Sequence, residues 1–174
     1  MAVSFSVGDK VIYPGHGLST ILDIEHMSVN RGQAQSFFRL RIEETGAKVL
    51  IPIANAAHVG LRKTVSLSEL EDVLSTLRDH CQVIDRQTWV RRARGYQEKL
   101  RSGILCEVAE VYRDLQLLRQ AKGLLSFSEK RVLDTCRRQL VSEIALVQKA
   151  PEEKVDAMLQ GFFVRTLKVG AAAA

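Results

Sequence analysis

The sequence predicts an α+β protein, a small antiparallel β module followed by a compact all-α module. Three observations carry that reading. Short runs rich in Val, Ile, Leu and Phe, broken by turn-formers, fill residues 1–63. From Thr64 onward the apolar residues recur at helical spacing. No apolar run approaches the roughly 20 residues that a membrane helix needs.

The β elements are expected at 9–14, 18–25, 35–42 and 47–53. Pro14-Gly15-His16-Gly17, Asn30-Arg31-Gly32 and Thr45-Gly46 punctuate them as turns. In the third run Phe38, Leu40 and Ile42 alternate with Phe37, Arg39 and Arg41, as on a strand with one buried face. The close spacing suggests a small barrel or a strongly bent sheet.

The first helix opens on a capping box, Ser66 with Glu69 three residues on, and continues through Leu67, Leu70, Val73, Leu74 and Leu77. Asp85 is expected to open a second, with Ala93, Tyr96 and Leu100 as its stripe and Gly103 as its end. A third runs from Ile104 to Gln120. Ser126 and Glu129 form another capping box, opening a long helix to about Lys149 with Val132, Leu133, Cys136, Leu140, Ile144 and Val147 inside. Pro151 suits the first turn of a last helix carrying Val155, Met158, Leu159 and Phe162. The expected layout is therefore a β domain over 1–63, a helical domain over 64–168 and a frayed tail over 169–174.

With 26% charged and 46% hydrophobic residues in 174, the composition is globular and excludes disordered and fibrous classes. The first ten residues lack a basic segment followed by an apolar stretch, so a cytoplasmic location, without membrane association, is expected. Cys81, Cys106 and Cys136 are odd in number, far apart and without CxxC spacing, which argues against a disulfide framework or a zinc site. The net charge of +5 is unevenly placed. Arg86, Arg91, Arg92, Arg94, Lys99 and Arg101 oppose only Glu98, so this short stretch alone carries a charge equal to that of the whole chain. Such a patch suits phosphates; it also fits a solvated helix face.

The residues of a catalyst are not assembled in any familiar pattern. His16, His26, His58 and His80 have no HxxxH or HxH spacing. Pro14-Gly15-His16-Gly17 is neither a Walker loop nor GxGxxG, and GxSxG and SxxK are missing. A binding protein is expected rather than an enzyme, with no catalytic residue, cofactor, metal or small-molecule substrate. Arg91, Arg94, Glu98 and Arg101 fall on one helical stripe that could follow a DNA backbone. Trp89, the sole tryptophan, precedes it. In an unbroken helix Trp89 shares a face with Ala93, Tyr96 and Leu100 and is core; near a helix start it is free to project as a duplex wedge. Arg39, Arg41, Leu50 and Pro52 lie on adjacent runs, where Pro52 fits an edge strand open to a partner.

The opening Phe5-Ser6-Val7-Gly8-Asp9-Lys10-Val11-Ile12-Tyr13-Pro14-Gly15-His16-Gly17 closely resembles that of the CarD/CdnL family of bacterial transcription regulators. The similarity continues through Ile24-Glu25, the run from Phe37 to Ile42, Ile51-Pro52, Val59-Gly60-Leu61-Arg62 and Thr88-Trp89-Val90-Arg91-Arg92. It then takes in Ala109 to Leu115 and Leu125 to Asp134, and covers about residues 4–163. The resemblance implies a Tudor-like β barrel that docks on the RNA polymerase β subunit through Arg39, Leu50 and Pro52. It implies a helical domain on promoter DNA at the upstream bubble edge, with Trp89 as the wedge, Arg91 and Arg94 on the backbone, and Phe127 and Lys130 in a further functional segment. Binding to DNA alone would be weak and largely non-sequence-specific. A monomer associated with the nucleoid, stabilising the open promoter complex, is the expectation; the alternative is a protein–protein adaptor without DNA contact. For Trp89 the resemblance favours the wedge over the core. Many family members have a polar residue at 90 and an aromatic at 93, where this chain has Val90 and Ala93. The β module also resembles that of transcription-repair coupling factors, but no helicase motif is present here.

Overall fold

A computed structural model describes residues 5–29, 33–79 and 88–170. The chain divides into two compact units, residues 1–64 and 65–174. The first is a five-stranded antiparallel sheet and the second consists of helices. This is the α+β class, in the β-then-α order.

The strands are β1 (Lys10–Tyr13), β2 (Gly17–Val29), β3 (Gln33–Ile42), β4 (Lys48–Pro52) and β5 (Arg62–Lys63), with a short 3-10 turn at Ile53–Asn55. Their order is β4-β3-β2-β1-β5, so β4 and β5 are the edges. Register follows the alternation. Ile21 opposes Leu40, Ile24 opposes Phe38, and Phe38 and Leu40 oppose Ile51 and Val49. With Phe5, Val11, Ala56 and Leu61, the buried members of this set form the core of the sheet. An irregularity in β2 between Ile21 and Asp23 breaks the ladder, as a bulge does where a strand must bend. Gly60 has φ +76, and a Cβ there would stand 3.1 Å from the Pro14 ring. Glycine is thus required where the chain returns to lay β5 beside β1. The two-residue β5 was not expected from sequence.

The helices are α1 (Leu67–Arg78), α2 (Trp89–Ser102), α3 (Leu105–Lys122), α4 (Phe127–Gln148) and α5 (Glu152–Gly170). Both capping boxes form as expected, at Ser66/Glu69 and Ser126/Glu129. Gly103 closes α2 in the left-handed conformation that glycine adopts without penalty. α2 begins at Trp89 and not at Asp85, because Thr88 is extended (φ −62, ψ 148). Asp85, the turn at Asn30–Gly32, His80, Cys81 and Arg86 lie outside the described residues. Val169 and Gly170 of the expected frayed tail are helical, and 171–174 lie outside the described residues. α3 carries the centre of the core: Val108, Val111, Tyr112, Leu115 and Leu118 meet Leu70, Val73 and Leu77 from α1, Cys136, Leu140 and Ile144 from α4, and Leu159 and Phe163 from α5.

The buried polar groups of this unit tie elements together. Glu143 on α4 accepts the Val65 N–H at 2.9 Å and so anchors the segment leading into α1. Buried Arg113 donates to the Thr76 carbonyl in the last turn of α1 and pairs with Asp114 at 2.9 Å. Among the described residues, no helix is long and apolar enough to cross a membrane. Ile144, fully buried in α4, predicts the scale of the packing. Ile144→Ala is expected to destabilise the protein by roughly 2–5 kcal/mol, as measured by chemical denaturation.

Candidate polymerase and nucleic-acid surfaces

In the β unit, alternation turns Phe38, Leu40 and Ile51 inward and leaves their neighbours on the outer face. There Arg39 stands directly opposite Leu50, and Phe37 opposite Pro52. Arg39, Leu50 and Pro52, the three residues singled out from sequence, therefore share one patch along the β3–β4 edge. Leu50 is 43% exposed, a large apolar side chain held in solvent. Arg39 is not a bare cation: it pairs with Glu25 on β2. Pro52 ends β4 at the edge, where its missing N–H leaves no ladder bond unmade.

Beside this patch Glu43 gathers three donors. Lys10 Nζ donates at 2.8 Å, Thr20 Oγ1 donates, and Arg41 Nη2 donates at 3.4 Å. The hydrogen bonds from Lys10 and Thr20 bring the Glu43 carboxyl from its usual 4.5 to about 2. In this way β1, β2 and β3 are tied across the outer face.

In the helical unit Trp89 is the first helical residue of α2, as the wedge reading requires, and it is also half-buried against the core. Its ring centroid lies 6.3 Å from that of Tyr96, tilted by 57°. Arg91, Arg94 and Arg101 are exposed. The basic cluster is nevertheless smaller than its sequence count. Arg92 is buried, 6% exposed, and its Nη2 donates to Glu129 Oε1 at 2.8 Å. Lys99 pairs with Glu110 at 2.6 Å, and Arg94 with Glu98 at 3.2 Å in the open. Half of the six cations are thus committed to carboxylates, and Arg86 lies outside the described residues.

Glu129 belongs to the capping box of α4, where it accepts from the Ser126 N–H and hydroxyl, each at 2.8 Å. Burial alone would raise its pKa; the Ser126 donors and Arg92 outweigh it and hold the carboxyl below its ordinary value. Burial opposes the charge on Arg92, but the Tyr96 phenol and Glu129 hold its pKa above the usual value. Because Arg92 lies in the first turn of α2 and Glu129 in the first turn of α4, the pair brings the two helix starts together. Phe127, 84% exposed, and exposed Lys130 flank Glu129, while Val90 and Arg91 face solvent beside Arg92. The result is an apolar and cationic surface over two helix N-termini, the positive ends of their dipoles. Thr88 makes no side-chain capping bond to α2.

Trp89, Arg91, Arg94, Phe127 and Lys130, named from sequence, lie in the first two turns of α2 and the first turn of α4, and what sequence reasoning missed is that Arg92 and Glu129 join these two helices. The capping box marked Glu129 only as a helix start. His16 is an exposed turn residue whose ring stacks on Tyr13 at 4.5 Å. Among the described residues, no group of three or more His, Cys, Asp or Glu is placed to hold a metal ion.

Two family models match the chain: the CarD C-terminal domain over residues 72–160 and the CarD-like/TRCF RID domain over residues 5–65. A Bacillus subtilis (strain 168) protein named "Putative transcription factor YdeB" is 26% identical over 151 residues, 87% of this chain and 97% of that one. Two solved structures are similar to part of the chain. CdnLNt from Myxococcus xanthus is 48% identical, covering 38% of this chain and 92% of that one, with a TM-score of 0.32. The 72-residue N-terminal domain of Myxococcus xanthus CarD is 37% identical, covering 34% of this chain and 77% of that one, with a TM-score of 0.29.

Glu43 gives a pH prediction for the β unit. Its carboxyl is lowered in the folded state, so between about pH 4.5 and pH 2 the unfolded chain binds more protons and stability falls as pH falls. Glu43→Gln is expected to lower the melting temperature at pH 7, and the difference from the parent chain should vanish as pH approaches 2. A difference that persists at full size in acid would show that Glu43 acts through something other than its charge.

Proposed function

The chain belongs to the CarD/CdnL family and is a transcription regulator; from that premise we propose that it stabilises the open promoter complex, its β unit docked on the RNA polymerase β subunit and its helical unit on DNA at the upstream bubble edge. The observation that carries this reading is the shared surface at the starts of α2 and α4. It offers a half-buried aromatic, exposed Arg91 and Arg94, and Phe127 with Lys130.

Each part has a physical task. Arg91, Arg94 and Lys130 contact phosphates, which gives affinity that is salt-dependent and indifferent to sequence. Trp89 occupies minor groove distorted at the bubble edge and so disfavours closing of the duplex. The β unit uses Leu50 and Pro52 as its apolar contact, with Arg39 as a charged neighbour. Docking there raises the effective concentration of the helical unit at the bubble, so weak DNA contacts suffice. A stabilisation of about 1.4 kcal/mol already changes the open/closed ratio tenfold. The cytoplasm and the nucleoid are the corresponding location.

Open-complex lifetime with the cognate polymerase and full-length protein is the decisive measurement. Trp89→Ala is expected to shorten it about tenfold while leaving helicity and polymerase binding intact. An unchanged lifetime would remove the wedge. Leu50→Ala with Pro52→Ala is expected to abolish binding to the polymerase β subunit and, with it, any effect on lifetime. Polymerase binding without a footprint at the bubble edge would favour an adaptor that does not touch DNA. Binding to free DNA should weaken with salt, and Arg91→Ala or Arg94→Ala should each reduce the salt slope by about 1.

A further inference from the structure

The Arg92–Glu129 pair lies beneath the proposed DNA surface without belonging to it. Both side chains are buried, at 3% and 7% exposure, so neither is available to a phosphate. Their geometry nevertheless reaches Trp89 and joins the two helix starts that carry the exposed groups. Glu129 uses its two oxygens for two helices: Oε2 receives the Ser126 N–H and hydroxyl of its own capping box, and Oε1 receives Arg92 Nη2. The Arg92 guanidinium carbon stands 6.0 Å from the Trp89 ring centroid and 6.0 Å from that of Tyr96. One planar cation therefore meets a carboxylate from α4 and two aromatic rings on α2.

We propose that Arg92 and Glu129 are the positioning residues of this surface. The pair fixes the orientation of the Trp89 ring and sets the spacing between the first turns of α2 and α4, so that Trp89 and Arg91 meet DNA together with Phe127 and Lys130. This rests on the reading that Trp89 contacts DNA, and deepens it. Stability alone is a poor reason to bury such a pair, since apolar residues of similar volume commonly do as well or better. Orientation is a better one. A guanidinium offers hydrogen bonds along its edge and a flat face to aromatic rings, which a lysine ammonium does not. A ring held in place before binding loses less freedom on reaching DNA, and that saving appears as affinity.

Trp89 is the chain's single tryptophan, so its fluorescence reports this ring and no other. The test uses four variants of the full chain. Glu129→Gln keeps the capping box, where Gln serves as well as Glu, and removes the charge facing Arg92. Arg92→Lys keeps the charge and removes the planar group. Arg92→Met with Glu129→Gln removes both charges and keeps the cap, providing a folded variant if either single change is disruptive. Ser126→Ala removes the cap and leaves the ion pair.

The three pair variants are expected to raise acrylamide quenching of Trp89 about twofold, lower its fluorescence anisotropy and shorten open-complex lifetime about threefold. Ser126→Ala is expected to lower the melting temperature and leave quenching and anisotropy at the parent values. Parent-like quenching and anisotropy in the pair variants that keep their far-UV circular dichroism would overturn the proposal, as would an equal change in Ser126→Ala. If the pair variants free the ring but Trp89→Ala itself leaves lifetime unchanged, the pair positions Trp89 and it is the DNA reading beneath it that fails.

Discussion

The carboxylate of Glu129 is the point on which the helical unit's exposed features converge. It closes the capping box of α4 and neutralises the one cation of α2 that is buried. Removing one member of a buried ion pair costs roughly 3–5 kcal/mol, because the survivor keeps its charge and loses its partner. For Glu129 the cap would be disturbed as well. Local helix chemistry and long-range geometry therefore share one side chain, 37 residues along the chain from the arginine it holds.

The β unit solves a related problem by different means. Its outer face carries charges that are partly solvated and linked laterally, Lys10, Thr20 and Arg41 around Glu43 and Arg39 beside Glu25. Exposed pairs of this kind add little each, yet here they link neighbouring strands, and the Arg39–Glu25 pair stands opposite Leu50. Exposed Leu50 thus stands beside a charged network and in solvent.

Much of this was legible in the sequence because it depends on near neighbours. Alternation along 36–42 gave the buried and outward faces of β3, the two Ser/Glu spacings gave the starts of α1 and α4, and Gly103 gave the end of α2. What escaped depends on distant partners. The pairing of Arg62–Lys63 with Val11 and Ile12 is a tertiary contact with no local pattern. The charge of the segment around Trp89 was overcounted because Glu129 and Glu110, which neutralise Arg92 and Lys99, come from other helices. Trp89 itself resisted a choice between core and wedge for a geometric reason. A residue at the first helical position can rest part of its ring on the core and keep the rest in solvent, and Trp89 is half-buried at that position.

An uncovered strand edge has a second consequence, for the protein in the company of its own copies. β4 ends the sheet with backbone groups unpaired by the ladder and with Leu50 in solvent, and such edges are templates for fibre growth. Two residues limit that hazard. Lys48 puts a charge near one end of the five-residue strand, and Pro52 withholds a donor at the other. A second copy would find a five-residue strand with a charge at one end and no donor at the other, a poor template for extending the sheet. Lys48 and Pro52 thus guard the strand's ends against its own copies while Leu50 between them stays in solvent.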